Sequence, residues 1–525
     1  MNAPARAESF ALDSYLLQQE SKSLLRFVAC GSVDHGKSTL IGRLLYGTNV
    51  VLDDQVGALR EESRKSGTQG EELDFSLLLD GLAAEREQKI TIDVAYRYFS
   101  TATRKFIVAD TPGHEQYTRN MATGASTADV ALILVDALSG LRPQTRRHAL
   151  IVSTVGVRRI ALVVNKMDKV AWSEERFRTI ERDFRDFAAS LAVDELVCIP
   201  VAALGGDNVV ARSHAMDWYS GPSVLDYIET VDVSRPPDAP AFRLPVQWVN
   251  RPDAGFRGAC GMVTGSAVRP GMAVTVLPSG RQTQVARIVT YDGDLAVAVP
   301  GQSVTVTLRD EIDVSRGDVI AAVAQPPAVT DRLAARVVWM GEAPLVAGRS
   351  YLLKLGTSSV VATASGALHL LDLDSGRERA AAELACNAIG RAEFVLDRRI
   401  AADAYADNRT TGAFILIDRD SYDTVAMGTV ERETSAPVTV RLRNILSVLG
   451  RGAGPASPGR ESHLRSIVKA VSWRVTGSLD TFVLALLITG SGVWAGAIAG
   501  TEIVTKIVAY YLHERVWSGV RWGRP

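Results

Sequence analysis

The stretch that decides the fold is Gly31-Ser-Val-Asp-His-Gly-Lys-Ser38, which fits the pattern GxxxxGK[ST]. Glycines in such a loop let backbone N–H groups turn inward around phosphates, while Lys37 reaches the phosphate oxygens and the Ser38 hydroxyl binds magnesium. The stretch follows a short apolar strand and precedes a helical run that begins at Thr39, as a phosphate-binding loop requires. The predicted phosphate contacts come from Gly31, Ser32, Val33, Asp34, His35, Gly36, Lys37, Ser38 and Thr39.

Two further motifs follow at the ends of predicted buried strands. Asp110-Thr-Pro-Gly113 places Asp110 to hold the magnesium shell and the Gly113 N–H near a γ-phosphate. In Asn165-Lys166-Met-Asp168 the Asp168 carboxylate can accept from both N1–H and the exocyclic amine of guanine, which adenine cannot offer together. Asn165 is expected to steady the ring edge and Lys166 to pack over its face. Behind a phosphate loop, these motifs predict a site for GTP and Mg²⁺.

The composition of the 525 residues is typical of a folded chain and gives no sign of a surface that binds nucleic acid. Apolar residues make up 47%, and 58 basic against 59 acidic residues give a net charge of −1. From residue 463 onward seven Lys/Arg and three acids give +4, so the preceding residues carry −5. A body without clustered basic residues predicts no nucleic-acid partner. The four cysteines lie far apart, which argues against disulfides and favours a reducing cytoplasm.

Changes in pattern divide the chain into several segments. Apolar strands alternate with helical patterns up to a proline-rich stretch near residue 234, which predicts a mostly parallel sheet. Two β-rich regions with regular turn signals follow and predict two small barrels. The predicted segments are an N-terminal extension 1–23, a GTP-binding domain 24–233, β-barrels 240–326 and 330–446, a flexible linker 447–462 and a two-helix membrane domain 463–525.

The motifs resemble a known class of proteins. Residues 33–39 and 110–115 resemble translation-factor GTPases, which carry two barrels after the GTP-binding domain. Within that class, residues 80–99, 110–121 and 408–418 closely resemble the large subunit of bacterial sulfate adenylyltransferase, and the likeness covers about residues 20–445. The resemblance implies an enzyme subunit whose GTP hydrolysis is coupled to making adenylyl sulfate and pyrophosphate from ATP and sulfate. It also implies a separate catalytic small subunit, in a heterodimer or a larger hetero-oligomer.

The same resemblance assigns roles to individual residues. Thr91 matches the switch threonine that binds magnesium when the γ-phosphate is present, and His114 matches the histidine that orients the attacking water. Val33 and Ile90 match the apolar gate beside that histidine, and with Lys37 these complete the predicted catalytic set. The predicted metal ligands are Ser38, Thr91 and Asp110.

Two positions depart from the family pattern. Lys89 stands where glycine is usual, just before the switch threonine, which puts the switching kinetics in question. Ala202-Ala203-Leu204 stands where Ser-Ala-Leu is usual, and these three residues are expected to contact the base. The contact to guanine O6 is expected from the Ala203 N–H, so the missing hydroxyl predicts weaker support of the loop rather than lost binding.

A translation factor that delivers aminoacyl-tRNA is the alternative that the sequence leaves open. The GTP-binding motifs alone do not exclude it. The −5 charge of the body argues mildly against RNA binding, and the likeness of residues 85–99 to the sulfate enzyme argues more strongly.

The C-terminal segment has the composition of a membrane domain. Residues 481–501 form a run of 21 without a charge, near the length that crosses a bilayer. Gly490-Ser-Gly492 divides the run, which favours a transmembrane helical hairpin of about 467–489 and 493–512 with both basic flanks on the cytoplasmic side. A buried hairpin in a soluble domain and a single span are the alternatives. The segment resembles a small two-helix membrane domain of unknown function. It predicts contact with membrane lipid and a cytoplasmic GTPase body tethered to the inner membrane.

Overall fold

The chain divides into two compact units, Met1–Glu433 and Thr434–Pro525. The computed structural model describes residues 22–48, 51, 53–66, 73–78, 91, 93–233, 240–253, 255–373 and 376–432. Predictions made for Lys89, Ile90, the linker 447–462 and the hairpin 467–512 lie outside these residues. Within the described ranges, no helix is long and apolar enough to cross a membrane.

The first domain is a six-stranded sheet covered by helices. Its strands are β1 (Ser23–Gly31), β2 (Ala95–Ser100), β3 (Arg104–Asp110), β4 (Val130–Asp136), β5 (Arg159–Asn165) and β6 (Glu195–Pro200). Its helices are α1 (Lys37–Gly47), α2 (Asp53–Ser66), α3 (Thr118–Ser126), α4 (Pro143–Thr154), α5 (Glu174–Ala188) and α6 (Val224–Thr230). Short 3₁₀ turns lie at Phe75–Leu78, Glu115–Tyr117, Met167–Val170 and His214–Met216.

The strand order of this sheet is β2-β3-β1-β4-β5-β6. All pairs are parallel except β2 with β3, which run antiparallel. Every residue of β4 is buried, because helices cover both faces of a parallel sheet. The amphipathic α5 shows how such a helix is specified: the Ser173 hydroxyl caps its start by accepting from the Arg176 N–H, and Phe177, Ile180 and Phe184 form its buried stripe.

The second domain is a closed six-stranded β-barrel, called here the first barrel. Its strands are β7 (Arg243–Asn250), β8 (Gly258–Met262), β9 (Ala273–Leu277), β10 (Arg281–Thr290), β11 (Gly293–Asp294), β12 (Ser303–Leu308) and β13 (Val319–Ala322). The order β10-β12-β8-β7-β13-β9 closes because β9 also pairs with β10, and β11 adds to the edge. Phe242, Leu244 and Ile288 are completely buried in its core.

The third domain is a second barrel of the same kind. Its strands are β14 (Ala328–Trp339), β15 (Leu345–Val346), β16 (Ser350–Leu355), β17 (Ser358–Leu371), β18 (Glu378–Ala381), β19 (Glu383–Leu384), β20 (Ile389–Ala402), β21 (Ala413–Ile417) and β22 (Thr424–Val430), with the one-turn helix α7 (Arg409–Gly412) before β21. The order β16-β21-β22-β14-β20-β17 closes through the pairing of β16 with β17. Trp339 and Tyr351 pack edge to face in its core, with ring centroids 5.4 Å apart. The predicted GTPase domain followed by two barrels is therefore confirmed.

Polar contacts join the three domains. Arg243 on β7 makes two hydrogen bonds of 2.9 and 3.0 Å to the carboxylate of Asp403, which follows β20, and both side chains are buried. The Tyr405 hydroxyl donates to the Val155 carbonyl of the first domain over 2.6 Å. A buried, bidentate ion pair orients its partners strongly, so the two barrels are held in register with each other.

Candidate functional site

The predicted phosphate loop joins β1 to α1. Gly36 caps α1 with a left-handed backbone, φ 83°, and Lys37 is the first residue of the helix. A Cβ on Gly31 would lie 2.5 Å from the Leu134 carbonyl oxygen, and one on Gly36 would lie 2.3 Å from Asn165 Nδ2. Glycine is therefore required at both positions by close approach as well as by backbone conformation. The loop presents the positive end of a helix dipole, which favours an anion.

Lys37 is buried within this loop. Its ammonium group donates to the carbonyl of Gly31 over 3.1 Å and to the carbonyl of Ser32 over 2.9 Å. Burial lowers the pKa of Lys37, and the nearby Asp110 carboxylate opposes that shift. A Cβ on Gly113 would lie 2.5 Å from Lys37 Nζ, so the two predicted motifs meet at this ammonium group.

The three predicted metal ligands converge on one point. Ser38 Oγ donates to Asp110 Oδ2 over 2.8 Å, and Ser38 Oγ lies 3.4 Å from Thr91 Oγ1. Asp110 is buried at the end of β3. Two hydroxyls and one carboxylate are hard oxygen ligands of the kind that Mg²⁺ prefers, and a partial protein set leaves positions for phosphate and water. The donors therefore fit a magnesium ion.

Asn165 connects three loops at the predicted base-binding end. Its Oδ1 accepts from the Lys166 N–H over 2.8 Å and from the Ala203 N–H over 2.9 Å. Its Nδ2 donates to the His35 carbonyl over 2.9 Å. The sequence suggests that Asn165 steadies the ring edge and that Ala203 reaches guanine O6. In the structure these two groups bond to each other, so Asn165 also connects the loops around the site, and the two contacts to the base stay predictions.

The side chains of Lys166 and Asp168 have different surroundings. Lys166 has a left-handed backbone, φ 65°, and its ammonium lies 2.9 Å from the Asp136 carboxylate. Burial would raise the pKa of Asp136, but hydrogen bonds from Lys166 and from the Leu138 N–H outweigh it and hold that pKa below its usual range. The Asp168 carboxylate is exposed beside Lys169, with 3.5 Å between charged atoms. It is therefore accessible to a ligand.

The loop after β6 contains the other three predicted base contacts. Ala202 and Ala203 are buried, and Leu204 is partly exposed. Ala202 and Asp207 form an isolated β-bridge, and the Gly206 N–H donates to the Ala202 carbonyl over 2.7 Å. These backbone bonds close the loop without the serine hydroxyl that the family pattern contains.

Of the three residues predicted to orient or surround the attacking water, the structure describes His114 and Val33. His114 is exposed and caps the turn Glu115–Tyr117, because its Nδ1 accepts from the Gln116 N–H over 3.4 Å. Val33 is also exposed, with 37% of its surface accessible. Ile90 lies outside the described residues.

Sequence reasoning treated His148 as an ordinary structural residue and did not connect it to this site. The ring lies completely buried on α4, and its Nδ1 accepts from the Gly31 N–H over 3.0 Å. The His148 ring therefore holds the backbone of Gly31, the first residue of the phosphate loop. Helical periodicity could place His148 on the buried face of α4 with Thr145 and Ile151, but it could not show which group lies beneath the helix.

Comparisons with known proteins agree with this geometry. Residues 22–234 match a family described as the elongation factor Tu GTP binding domain. Residues 332–431 match one described as GTP-eEF1A C-terminal domain-like, and residues 467–518 match one described as a predicted membrane protein. The fold and site define a GTP-binding protein of the elongation factor Tu type.

Similarity to curated proteins narrows the assignment within that type. The sulfate adenylyltransferase subunit 1 of Methylorubrum extorquens is 55% identical over 424 residues, which cover 81% of this chain and 90% of the relative. The protein of that name from Aeromonas hydrophila is 51% identical over 427 residues, covering 81% and 90%. A bifunctional enzyme CysN/CysC from Xylella fastidiosa is 53% identical over 418 residues, covering 80% and 67%. The chain belongs to the sulfate adenylyltransferase subunit 1 family.

Proposed function

We propose that this chain is the GTP-hydrolysing subunit of a sulfate adenylyltransferase. In this proposal GTP hydrolysis drives the formation of adenylyl sulfate and pyrophosphate from ATP and sulfate on a separate small subunit. The observation that carries it is the 55% identity to a sulfate adenylyltransferase subunit 1 over 90% of that relative. The word "subunit" in the relative's name supports a partner chain. The phosphate–sulfate anhydride is a poor product to accumulate, so an additional source of free energy helps draw the reaction forward.

The loop 31–39 and Lys37 are proposed to hold the phosphates of GTP. Lys37 would exchange its two carbonyl acceptors for phosphate oxygens, which are stronger, charged acceptors. Ser38, Thr91 and Asp110 would hold Mg²⁺, which when bound neutralises charge on the phosphate oxygens. The Gly113 N–H would approach the γ-phosphate.

His114 is proposed to position the water that attacks the γ-phosphorus. As the bond from that phosphorus to the water oxygen forms, the bond to the bridging oxygen breaks and GDP leaves. Because His114 Nδ1 accepts from the Gln116 N–H, the neutral ring carries its proton on Nε2 and is a donor toward the water oxygen. Val33 and Ile90 would limit access of other water molecules.

Base recognition is proposed to use two edges of the guanine ring and one of its faces. The exposed Asp168 carboxylate would accept from N1–H and the exocyclic amine. The Ala203 N–H would share its proton between Asn165 and guanine O6. Lys166, held by Asp136, would cover the face of the ring.

The C-terminal segment is proposed to tether the cytoplasmic body to the inner face of the membrane. The 21-residue uncharged run and the match of residues 467–518 to a predicted membrane protein support this. If so, the chain should remain with bacterial membranes after an alkaline carbonate wash and require detergent for release. Recovery in the aqueous wash would contradict the tether.

The decisive experiment measures GTP hydrolysis by this chain co-purified with its small subunit. Hydrolysis should rise only when ATP and sulfate are both added, and adenylyl sulfate should form in the same reaction. His114→Ala should abolish the rise, and His214→Ala, an exposed histidine of the same domain, should not. Hydrolysis that ignores ATP and sulfate but responds to ribosomes would overturn the proposal in favour of the translation-factor alternative.

A further inference from the structure

The loop 202–207, called here the base loop, contains the amide proposed to contact guanine O6. Its backbone bridge joins Ala202 to Asp207, the Asn165 side chain accepts from the Ala203 N–H, and the Ser213 hydroxyl donates to the Asp207 carboxylate over 2.6 Å. The family pattern has a serine at position 202, where this chain has alanine. An alanine side chain neither donates nor accepts, so position 202 adds no side-chain hydrogen bond to those at Ala203 and Asp207.

Arg43 supplies such a contact from helix α1. Its Nη2 donates to the Leu204 carbonyl over 2.6 Å. A Cβ on Gly206 would lie 2.9 to 3.2 Å from the guanidinium atoms, so the base loop closes directly over this group. On its other side the guanidinium lies over the Phe75 ring, 4.7 Å from the centroid.

The position of Arg43 on α1 gives this contact a particular consequence. The same helix begins at Lys37, so one rigid element holds both the phosphate-binding end of the site and the Leu204 carbonyl. Helix α1 and the Arg43 guanidinium therefore link the phosphate loop to the base loop, as a second connection beside the one that Asn165 makes between the His35 carbonyl and the Ala203 N–H. The neighbouring Ala203 is the residue whose amide is proposed to contact the base.

We propose that Arg43 is a positioning residue for guanine recognition, which replaces the support lost with the serine hydroxyl at position 202. It acts by fixing the Leu204 carbonyl and, through it, the Ala203 amide at the distance from Lys37 that a guanine nucleotide spans. This inference rests on the proposed GTP-binding function. It predicts that Arg43 affects the contact to O6 more than the contacts to the phosphates.

The probe that isolates this contact is 6-thio-GDP. It keeps N1–H, the exocyclic amine and both phosphates, and it replaces only O6 by sulfur, a weak acceptor. The Kd values for GDP and 6-thio-GDP are measured by calorimetry on the full chain in detergent. Arg43→Gln should weaken GDP roughly 3- to 10-fold, the loss that one hydrogen bond accounts for, and should change 6-thio-GDP less than twofold.

Two further variants separate positioning from general stability. Arg158→Gln removes an arginine that donates to another backbone carbonyl, that of Ala192 over 3.1 Å, and should leave both Kd values unchanged. Ala202→Ser in the Arg43→Gln background restores a hydroxyl to the base loop and should recover part of the lost GDP affinity. If Arg43→Gln does not fold, Arg43→Lys keeps the charge and loses the planar donor, and takes its place.

The outcomes are separable. Selective loss of GDP affinity together with recovery by Ala202→Ser supports the proposal. Equal loss for both nucleotides, no loss, or selective loss that Ala202→Ser leaves unchanged overturns it. Failure of the parent chain to bind GDP would instead overturn the proposed function.

Discussion

His148 makes the stability of the phosphate loop dependent on pH. The imidazole is completely buried beneath Gly31, whose N–H donates to Nδ1. Burial lowers the pKa of His148 from 6.5 to about 3, and the positive charges of Lys37 and Arg147 add to the effect. The folded protein therefore keeps this ring neutral over a pH range in which the unfolded chain protonates it.

The size of the effect follows from proton linkage. Between pH 6.5 and pH 3 the unfolded state binds more protons than the folded state, so stability falls as the pH falls. From pH 7 to pH 5 the contribution of this one group is a loss of about 2 kcal/mol in the free energy of unfolding. That figure hardly depends on the folded pKa as long as it lies below about 4.

The assay is urea unfolding of the nucleotide-free chain at pH 7 and pH 5, compared with His148→Asn. Asparagine keeps an acceptor near the Gly31 N–H but does not titrate, so the variant should lose about 2 kcal/mol less than the parent over this interval. His214→Asn makes the same change at an exposed histidine of the same domain and should follow the parent. Equal losses for the parent and His148→Asn would refute the reasoning.

Three more substitutions test the site and the domain arrangement. His114→Ala should slow GTP hydrolysis at least about 100-fold and leave the Kd for GDP within about twofold, because the proposed role of the ring is to orient water and not to hold the base. Single-turnover kinetics and calorimetry check this, and a parallel loss of binding would contradict it. Asp168→Asn should weaken GDP about 10- to 100-fold and favour xanthosine diphosphate, whose O2 accepts from an amide; competition binding decides, and unchanged preference would count against the assignment. Arg243→Met should lower the free energy of unfolding by about 3–5 kcal/mol, since it leaves buried Asp403 uncompensated. Adding Asp403→Leu should recover most of that in urea titrations, and no recovery would show that the charge is not the cause.

Much of the site could be predicted from sequence because its motifs are local. The glycines and Lys37 of the phosphate loop lie within eight residues, and a strand before them and a helix after them leave one arrangement of that loop. Asp110 and Asn165 each end a strand, and in a parallel sheet such ends meet at one edge. Because β1 pairs with β3 so that Ala29 lies opposite Asp110, the phosphate loop that follows β1 lies next to Asp110, and its Ser38 donates to that carboxylate.

The sequence by itself therefore determined the class of fold, the motifs for guanine nucleotides and the order of the domains. These can be recognised because the spacing of apolar residues and the positions of turn-forming residues are properties of short stretches of chain. Only the tertiary structure showed that the Asn165 amide bonds to the His35 carbonyl and the Ala203 N–H. It alone placed Arg43 against Leu204, which is 161 residues away. Such contacts depend on how distant segments pack, and no local pattern encodes a hydrogen bond to a backbone carbonyl, which every residue carries.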